Sequence, residues 1–210
     1  MKVSLPLFLK EENKVLSGFS LFAVMMAVYL LSNHFHYFPP QFLPLTWVDH
    51  HVPFMPNTFW IYNSEYFYFI AVYMTSSNLQ NLNKFLYSTL TMVLFSCIIF
   101  SIWPTTYPRE LFPLPQDLNY LTYHTFSMFR ISDTPANCCP SLHVSVVYLL
   151  SFIFLNEKRN LFPYFLGWAT AIAISTLTTK QHYLLDVIAG ITNAIFFYWI
   201  FHLRVKIKIN

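Results

Sequence analysis

The stretch Phe85–Trp103, FLYSTLTMVLFSCIIFSIW, decides the fold class. It carries no charged side chain and is close to the ~20 residues a helix needs to cross a bilayer core. Its apolar residues run on continuously instead of alternating with polar ones, which argues against a strand of a transmembrane barrel. Five further stretches read the same way: Val15–Leu31, Phe59–Ser76, Ser141–Leu155, Leu161–Thr179 and Tyr183–Leu203. The chain as a whole is 56% hydrophobic, 20% aromatic and only 10% charged. An ordinary soluble domain has roughly a quarter of its residues charged, so this chain lacks the polar surface to face water. The composition excludes a soluble globular enzyme, a disordered chain and a collagen-like one. It predicts an all-α integral membrane protein, a bundle of six transmembrane helices forming a single membrane-embedded domain over residues 1–210.

Lysine and arginine orient the predicted bundle, because cytoplasmic loops carry them in excess. With the N-terminus inside, Lys2, Lys10, Lys14, Lys84, Lys158, Arg159, Arg204, Lys206 and Lys208 fall on the cytoplasmic side. Arg109, Arg130 and Lys180 fall outside, which accounts for all 12 cations. Both termini are then cytoplasmic, and the segment from Met1 to Ser17 reads as a leader into an uncleaved first span. The long connections Ser32–Thr58 and Pro104–Pro140 lie outside, rich in proline and aromatics, as loops folded against the bundle mouth are. A net charge of +3 with no basic block gives no footprint for nucleic acid. Cys138 and Cys139 are adjacent, where a disulfide would need a strained turn, and Cys97 lies in an apolar run.

This orientation gathers the chemistry at one mouth. The fourth span begins there with His143, and the fifth ends there with Ser175 to Lys180. The sixth begins there with His182 and Asp186. These last two are four residues apart, so on a helix they share a face. A carboxylate accepting from one imidazole nitrogen sets the tautomer and leaves the other nitrogen as base or nucleophile. Pro140-Ser141 reads as a helix start, whose free amides and dipole favour an anion such as phosphate. The planar fork of Arg109 suits phosphate oxygens.

"CCPSLHVS" (138–145) and "STLTTKQHYLLDVIAG" (175–190) resemble the second and third signature motifs of the type 2 phosphatidic acid phosphatase superfamily. "DTPANCCPSLHVS" with "STLTTKQHYLLD" resembles most closely the branch of inositolphosphorylceramide synthases and their bacterial relatives. "PTTYPRE" (104–110) resembles a degenerate first motif. The resemblance implies that His182 attacks phosphorus to form a phosphohistidine, that Asp186 orients it, and that His143 protonates the leaving oxygen. It implies a phosphate site of Arg109, Ser141 and the backbone at Leu142, joined by Ser175 and Lys180, with no metal or other cofactor. The departures are Ile102 in place of a lysine, Glu110 in place of a proline, Leu142 in place of a glycine and Thr176 in place of an arginine. Lys180 and Arg130 are candidate substitutes for the missing cations. The implied function is a lipid phosphatase acting on a phosphorylated membrane lipid at the periplasmic or luminal face, in a bacterial inner membrane. The alternatives are a phosphotransferase that passes the group to a lipid hydroxyl, and a non-catalytic transporter or scaffold.

Each residue also has a plainer reading. The two histidines and Asp186 could be an interhelical polar network, and Arg109 an arginine snorkelling to the interface. Asp133 and Asn137 read as braces of the loop before the fourth span. Glu65 reads either as the partner of an outer cation or as solvated. His34, His36, His50 and His51 lack the spacing of a zinc site and read as interfacial.

Overall fold

The computed structural model describes residues 3–208, so Lys2 of the charge count lies outside the described residues. A strand β1 (Val3–Pro6) leads into α1 (Lys14–His34). The first long connection holds β2 (Gln41–Phe42) and α2 (Trp47–His51), and α3 (Phe59–Asn63), α4 (Glu65–Thr75) and α5 (Leu79–Ile102) follow. The second long connection holds β3 (Thr105–Thr106) and α6 (Tyr120–Ser132). The chain closes with α7 (Leu142–Ser151), α8 (Phe162–Thr178), α9 (Leu184–Arg204) and β4 (Val205–Lys208). Strands β1 and β4 pair in parallel, with Val3 opposite Val205, so the two ends of the described chain lie side by side.

Three helical segments are long and apolar enough to cross a membrane by length and composition: Glu11–His34, α5 and α9. Of the other three predicted spans, two are interrupted and one is continuous but shorter. The second is divided at Ser64 into α3 and α4. There the serine hydroxyl donates to the Ile61 carbonyl at 2.6 Å and accepts from Trp168 Nε1 at 2.9 Å. A serine side chain bonded in this way competes with the helical ladder. The fourth tightens after Ser151 into a 3-10 turn, Phe152–Leu155, and α8 is a shorter apolar helix. Helix α5 starts at Leu79, before the predicted Phe85, because Asn78 caps it by accepting from the Asn81 amide at 3.0 Å. A polar first turn of this kind is invisible to a search for apolar runs.

The two long connections, predicted to fold against the bundle, also pair with each other. Strands β2 and β3 pair in parallel. Helix α6 was not foreseen. Asn119 caps it through the Thr122 amide at 2.9 Å, and it stacks Phe126 on Phe59 at 4.4 Å between ring centroids. Inside the bundle, Tyr68, Met92, Val147, Phe154, Ile172 and Phe197 form the largest buried cluster, drawn from α4, α5, α7, α8 and α9 with the turn after α7. Polar contacts fix the register at the centre. Asn193 on α9 donates to Ser96 Oγ of α5 at 3.1 Å and to Ser145 Oγ of α7 at 3.3 Å. Interhelical bonds of this kind contribute about 0.6–2 kcal/mol each in a membrane.

Candidate active site

Close contact between α7 and α9 builds the site. Gly190 makes that approach feasible, since a Cβ there would lie 2.7 Å from the Ser141 carbonyl and 3.1 Å from Val144 Cβ. Ser145 Oγ donates to the Gly190 carbonyl at 3.1 Å, and the Ser141 amide donates to the Asp186 carbonyl at 3.1 Å. These bonds set the start of α7 against the start of α9, which places His143 beside His182 with ring centroids 5.9 Å apart.

His182 is buried, and its Nδ1 faces two acceptors, the Cys138 carbonyl at 3.0 Å and Asp186 Oδ2 at 3.2 Å. Two acceptors require the proton on Nδ1, so the lone pair sits on Nε2, the form a nucleophile needs. Asp186 is fully buried and anchored in turn, since its Oδ2 also accepts from the Tyr183 amide at 2.9 Å. His143 lies between two groups of the divided second segment. Its Nε2 is 3.2 Å from Glu65 Oε1, and its Nδ1 is 3.3 Å from the Tyr62 hydroxyl. The break at Ser64 separates the helices that carry these two partners.

The cations are distributed unevenly. Arg109 forms an ion pair with Asp133, at 3.1 Å to Oδ2, and also donates to the Asp133 carbonyl. Asp133 further accepts from the Tyr29 hydroxyl and Asn33. Arg109 Nε is nevertheless buried with no hydrogen-bond partner, a donor left over in a partly buried fork. Arg130 donates to the carbonyls of Phe112 at 2.8 Å and Thr179 at 3.4 Å and lies over the Phe126 ring. Burial, with the charge of Arg109 beside it, lowers its pKa to about 10. The Lys180 ammonium donates to the carbonyls of Asp49 at 2.9 Å and Val52 at 2.6 Å, so it ties α2 to the α8–α9 turn. Of the remaining predicted phosphate ligands, Ser141 caps α7 through the Val144 amide at 3.4 Å, and Leu142 opens that helix. The Ser175 hydroxyl is buried and donates to the Ile172 carbonyl at 2.6 Å, within its own helix.

The α8–α9 turn aims His182. Lys180 adopts φ 55° in the left-handed region. Its amide donates to the Leu177 carbonyl at 3.2 Å, and that of Gln181 donates to the Thr176 carbonyl at 3.0 Å. This is the pattern in which a left-handed residue, usually glycine, ends a helix. Asp49, which the sequence reading passed over, accepts from the Leu184 amide at 2.8 Å while closing a capping box with Thr46. The Thr46-x-x-Asp49 spacing was the available signal. Glu65 was visible as an ionisable residue near the outer end of a span, but its partner is a histidine, not an outer cation.

Three potential ligand groups, Cys138, His182 and Asp186, lie within 4.8 Å of one another, a set that could hold a metal ion. Two of its members are the histidine–aspartate pair itself, so an ion bound through Nδ1 would displace the proton that orients His182. The thiols are poor nucleophiles at neutral pH: burial, then the charge of Asp186, pushes Cys139 up to about 12, and burial raises Cys138 as well.

Comparison with known families decides what this arrangement belongs to. The pattern of the PAP2 superfamily matches residues 27–200. The chain belongs to the PAP2 superfamily. Membership suggests phosphatase or phosphotransferase chemistry on phosphorylated substrates, consistent with an enzyme, and the apolar helices suggest an integral membrane protein. The PAP2 match spans every element from β2 to α8, most of α9 and the C-terminal part of α1, and so takes in both histidines and Asp186. No curated protein matches the chain closely.

Proposed function

We propose that this protein is a metal-independent lipid phosphatase that works by double displacement at phosphorus. The observation that carries the reading is the double anchoring of His182 Nδ1 by Asp186 and the Cys138 carbonyl, with His143 5.9 Å away. Nε2 of His182 attacks phosphorus as the phosphorus–oxygen ester bond breaks, and His143 gives its proton to the departing alkoxide. Water then attacks the phosphohistidine, His143 takes the water's proton, and inorganic phosphate leaves. Glu65 holds His143 through Nε2 in both steps, and the 3.3 Å Tyr62 contact gives way at Nδ1, the nitrogen that exchanges the proton with the leaving oxygen and then with water. Arg109, oriented by Asp133, offers its unpartnered Nε–H to the phosphate, and the first amides of α7 add the helix dipole. Fixed donors of this kind stabilise the charge that develops at phosphorus without an ion.

The chain crosses the membrane six times in this reading, with its ends in the cytoplasm of a bacterium and the histidines at the periplasmic face. The nine-to-three division of cations supports that orientation. Transfer to a lipid hydroxyl is the second reading. It is favoured by Leu142 in the wall of an apolar cavity beside His143, a surface that disfavours water as the acceptor.

Acid-labile phosphate trapped on the protein during turnover of a labelled lipid phosphate tests the mechanism. The expected result is phosphate on His182, none on His182→Ala, and undiminished turnover in EDTA. Labelled phosphate on the His182→Ala protein would defeat the nucleophile assignment. Activity lost to EDTA and restored by zinc would defeat metal independence. Scoring free phosphate against new lipid products separates hydrolysis from transfer.

A further inference from the structure

The turn that carries His182 is gripped from the first long connection on both of its sides. Lys180 and Leu184 stand two residues before and two residues after His182. Before it, the Lys180 ammonium donates to the Asp49 carbonyl at 2.9 Å and to the Val52 carbonyl at 2.6 Å. After it, the amide of Leu184, the first residue of α9, donates to Asp49 Oδ1 at 2.8 Å. Asp49 thus holds the chain on either side of the histidine. It is buried and itself fixed, since its Oδ2 accepts from the Thr46 amide and from the Thr46 hydroxyl, each at 2.7 Å. The turn needs holding from outside, because Lys180 sits at φ 55°, a backbone region that residues with side chains disfavour.

We infer that Asp49 is a positioning residue for the nucleophile: by capping α9 at Leu184 it leaves the Asp186 carboxylate to His182. The inference rests on the nucleophile reading of His182. The first amides of a helix have no partner within it, and at the start of α9 two carboxylates divide them. Asp186 Oδ2 takes the Tyr183 amide at 2.9 Å together with His182 Nδ1 at 3.2 Å, and Asp49 takes the Leu184 amide. Asp186 Oδ1 is buried without a hydrogen-bond partner. An amide released by loss of Asp49 therefore has a competing acceptor in the carboxylate that sets the His182 tautomer. A carboxylate that turns to cap the helix no longer fixes the proton on Nδ1. The Lys180 tie runs to backbone carbonyls, so it survives a change of the Asp49 side chain and keeps α2 in place.

The test reads the His182 tautomer and the phosphate transfer in the full chain in liposomes. NMR spectra of nitrogen-labelled histidines, with the His182 signals assigned by their absence in His182→Ala, should show the proton on Nδ1 in the wild type. Asp49→Ala should add a population with the proton on Nε2. It should also slow transfer from a labelled alkyl phosphate to His182 by about tenfold, the rate worth of one charged hydrogen bond, at unchanged KM. Asp49→Asn, which keeps an oxygen for the Leu184 amide, should restore both. Leu184→Pro breaks the same bond from its other side and suits the first helical position, because Tyr183 before it is extended at ψ 161°. It should reproduce the losses whether or not Asp49→Ala folds, and in the double variant the losses should not add. Wild-type tautomer and rate in Asp49→Ala or Leu184→Pro, a loss confined to KM, no rescue by Asp49→Asn, or additive losses would overturn the inference. A tautomer that shifts in Asp49→Ala, while the wild type transfers no phosphate to His182, would overturn the catalytic reading and leave Asp49 the holder of His182.

Discussion

At the residue scale, the two histidines differ in what holds them, and the roles proposed for them rest on that difference. His182 has one nitrogen engaged by a buried carboxylate and a carbonyl, an arrangement for a fixed tautomer. His143 touches a carboxylate on one side and a phenol on the other, an arrangement for moving a proton. His143→Ala should therefore slow hydrolysis of alkyl phosphates by about 10²–10⁴-fold, the usual worth of general acid–base catalysis. The same variant should spare p-nitrophenyl phosphate, whose leaving group needs little protonation; equal losses on both substrates would remove His143 as the acid. Glu65→Gln should share that signature at smaller size, roughly tenfold, the rate equivalent of one charged hydrogen bond. A Glu65→Gln loss that ignores the leaving group would assign Glu65 to folding alone. Both histidines and Asp186 were legible in the sequence by motif, but His182 does not share a helical face with Asp186 as the spacing predicted: it stands before α9, and Asp186 reaches back across the helix start to its Nδ1 and to the Tyr183 amide. Glu65 was legible only as an ionisable residue at a span end, since nothing in its neighbourhood along the chain names a histidine 78 positions away as its partner.

At the element scale, the α7–α9 contact sets the distance between the two histidines, and two of the three helical glycines, Gly190 and Gly167, probe it. Gly190→Ala pushes a methyl to 2.7 Å from the Ser141 carbonyl, where backbone has little room to yield. Overpacking of this kind costs about 1–3 kcal/mol, beyond the ~1 kcal/mol that alanine returns as a better helix former. The variant should lower Tm and, by moving Ser141 and His143 away from His182, lower turnover. Gly167→Ala meets nothing within 4 Å and should leave turnover alone while raising stability by up to about 1 kcal/mol. Thermal shift and turnover on the purified pair provide the comparison; matched behaviour of the two variants would deny Gly190 its packing role.

For the whole molecule, the parallel pairing of β1 with β4 brings the described ends of the chain together, and the two long connections pair through β2 and β3. An even number of crossings accommodates both facts. Gln116 is exposed in the second long connection. With the orientation proposed, Gln116→Cys should react with a membrane-impermeant maleimide in intact cells; reaction only after permeabilisation would invert the bundle. The native thiols offer a low background, because burial raises Cys138 and brings Cys139 up to about 12.

What the sequence determined by itself were properties carried by neighbours along the chain. The membrane class followed from apolar runs, the proposed orientation rests on lysine and arginine counts, and the His182–Asp186 pair was marked by motif, with the contact itself made across the start of α9. The tertiary structure decided what depends on residues far apart. It broke the second predicted span at Ser64, because a hydroxyl bonded within its own turn meets a tryptophan from α8. It engaged Lys180 with the carbonyls of Asp49 and Val52 and paired Arg109 with Asp133, so two cations that look alike in the sequence differ in what they have left to offer a phosphate. A charged side chain at the edge of a bilayer takes the nearest buried partner that desolvation leaves it, and which partner is nearest is a property of the packed helices, not of the order of residues.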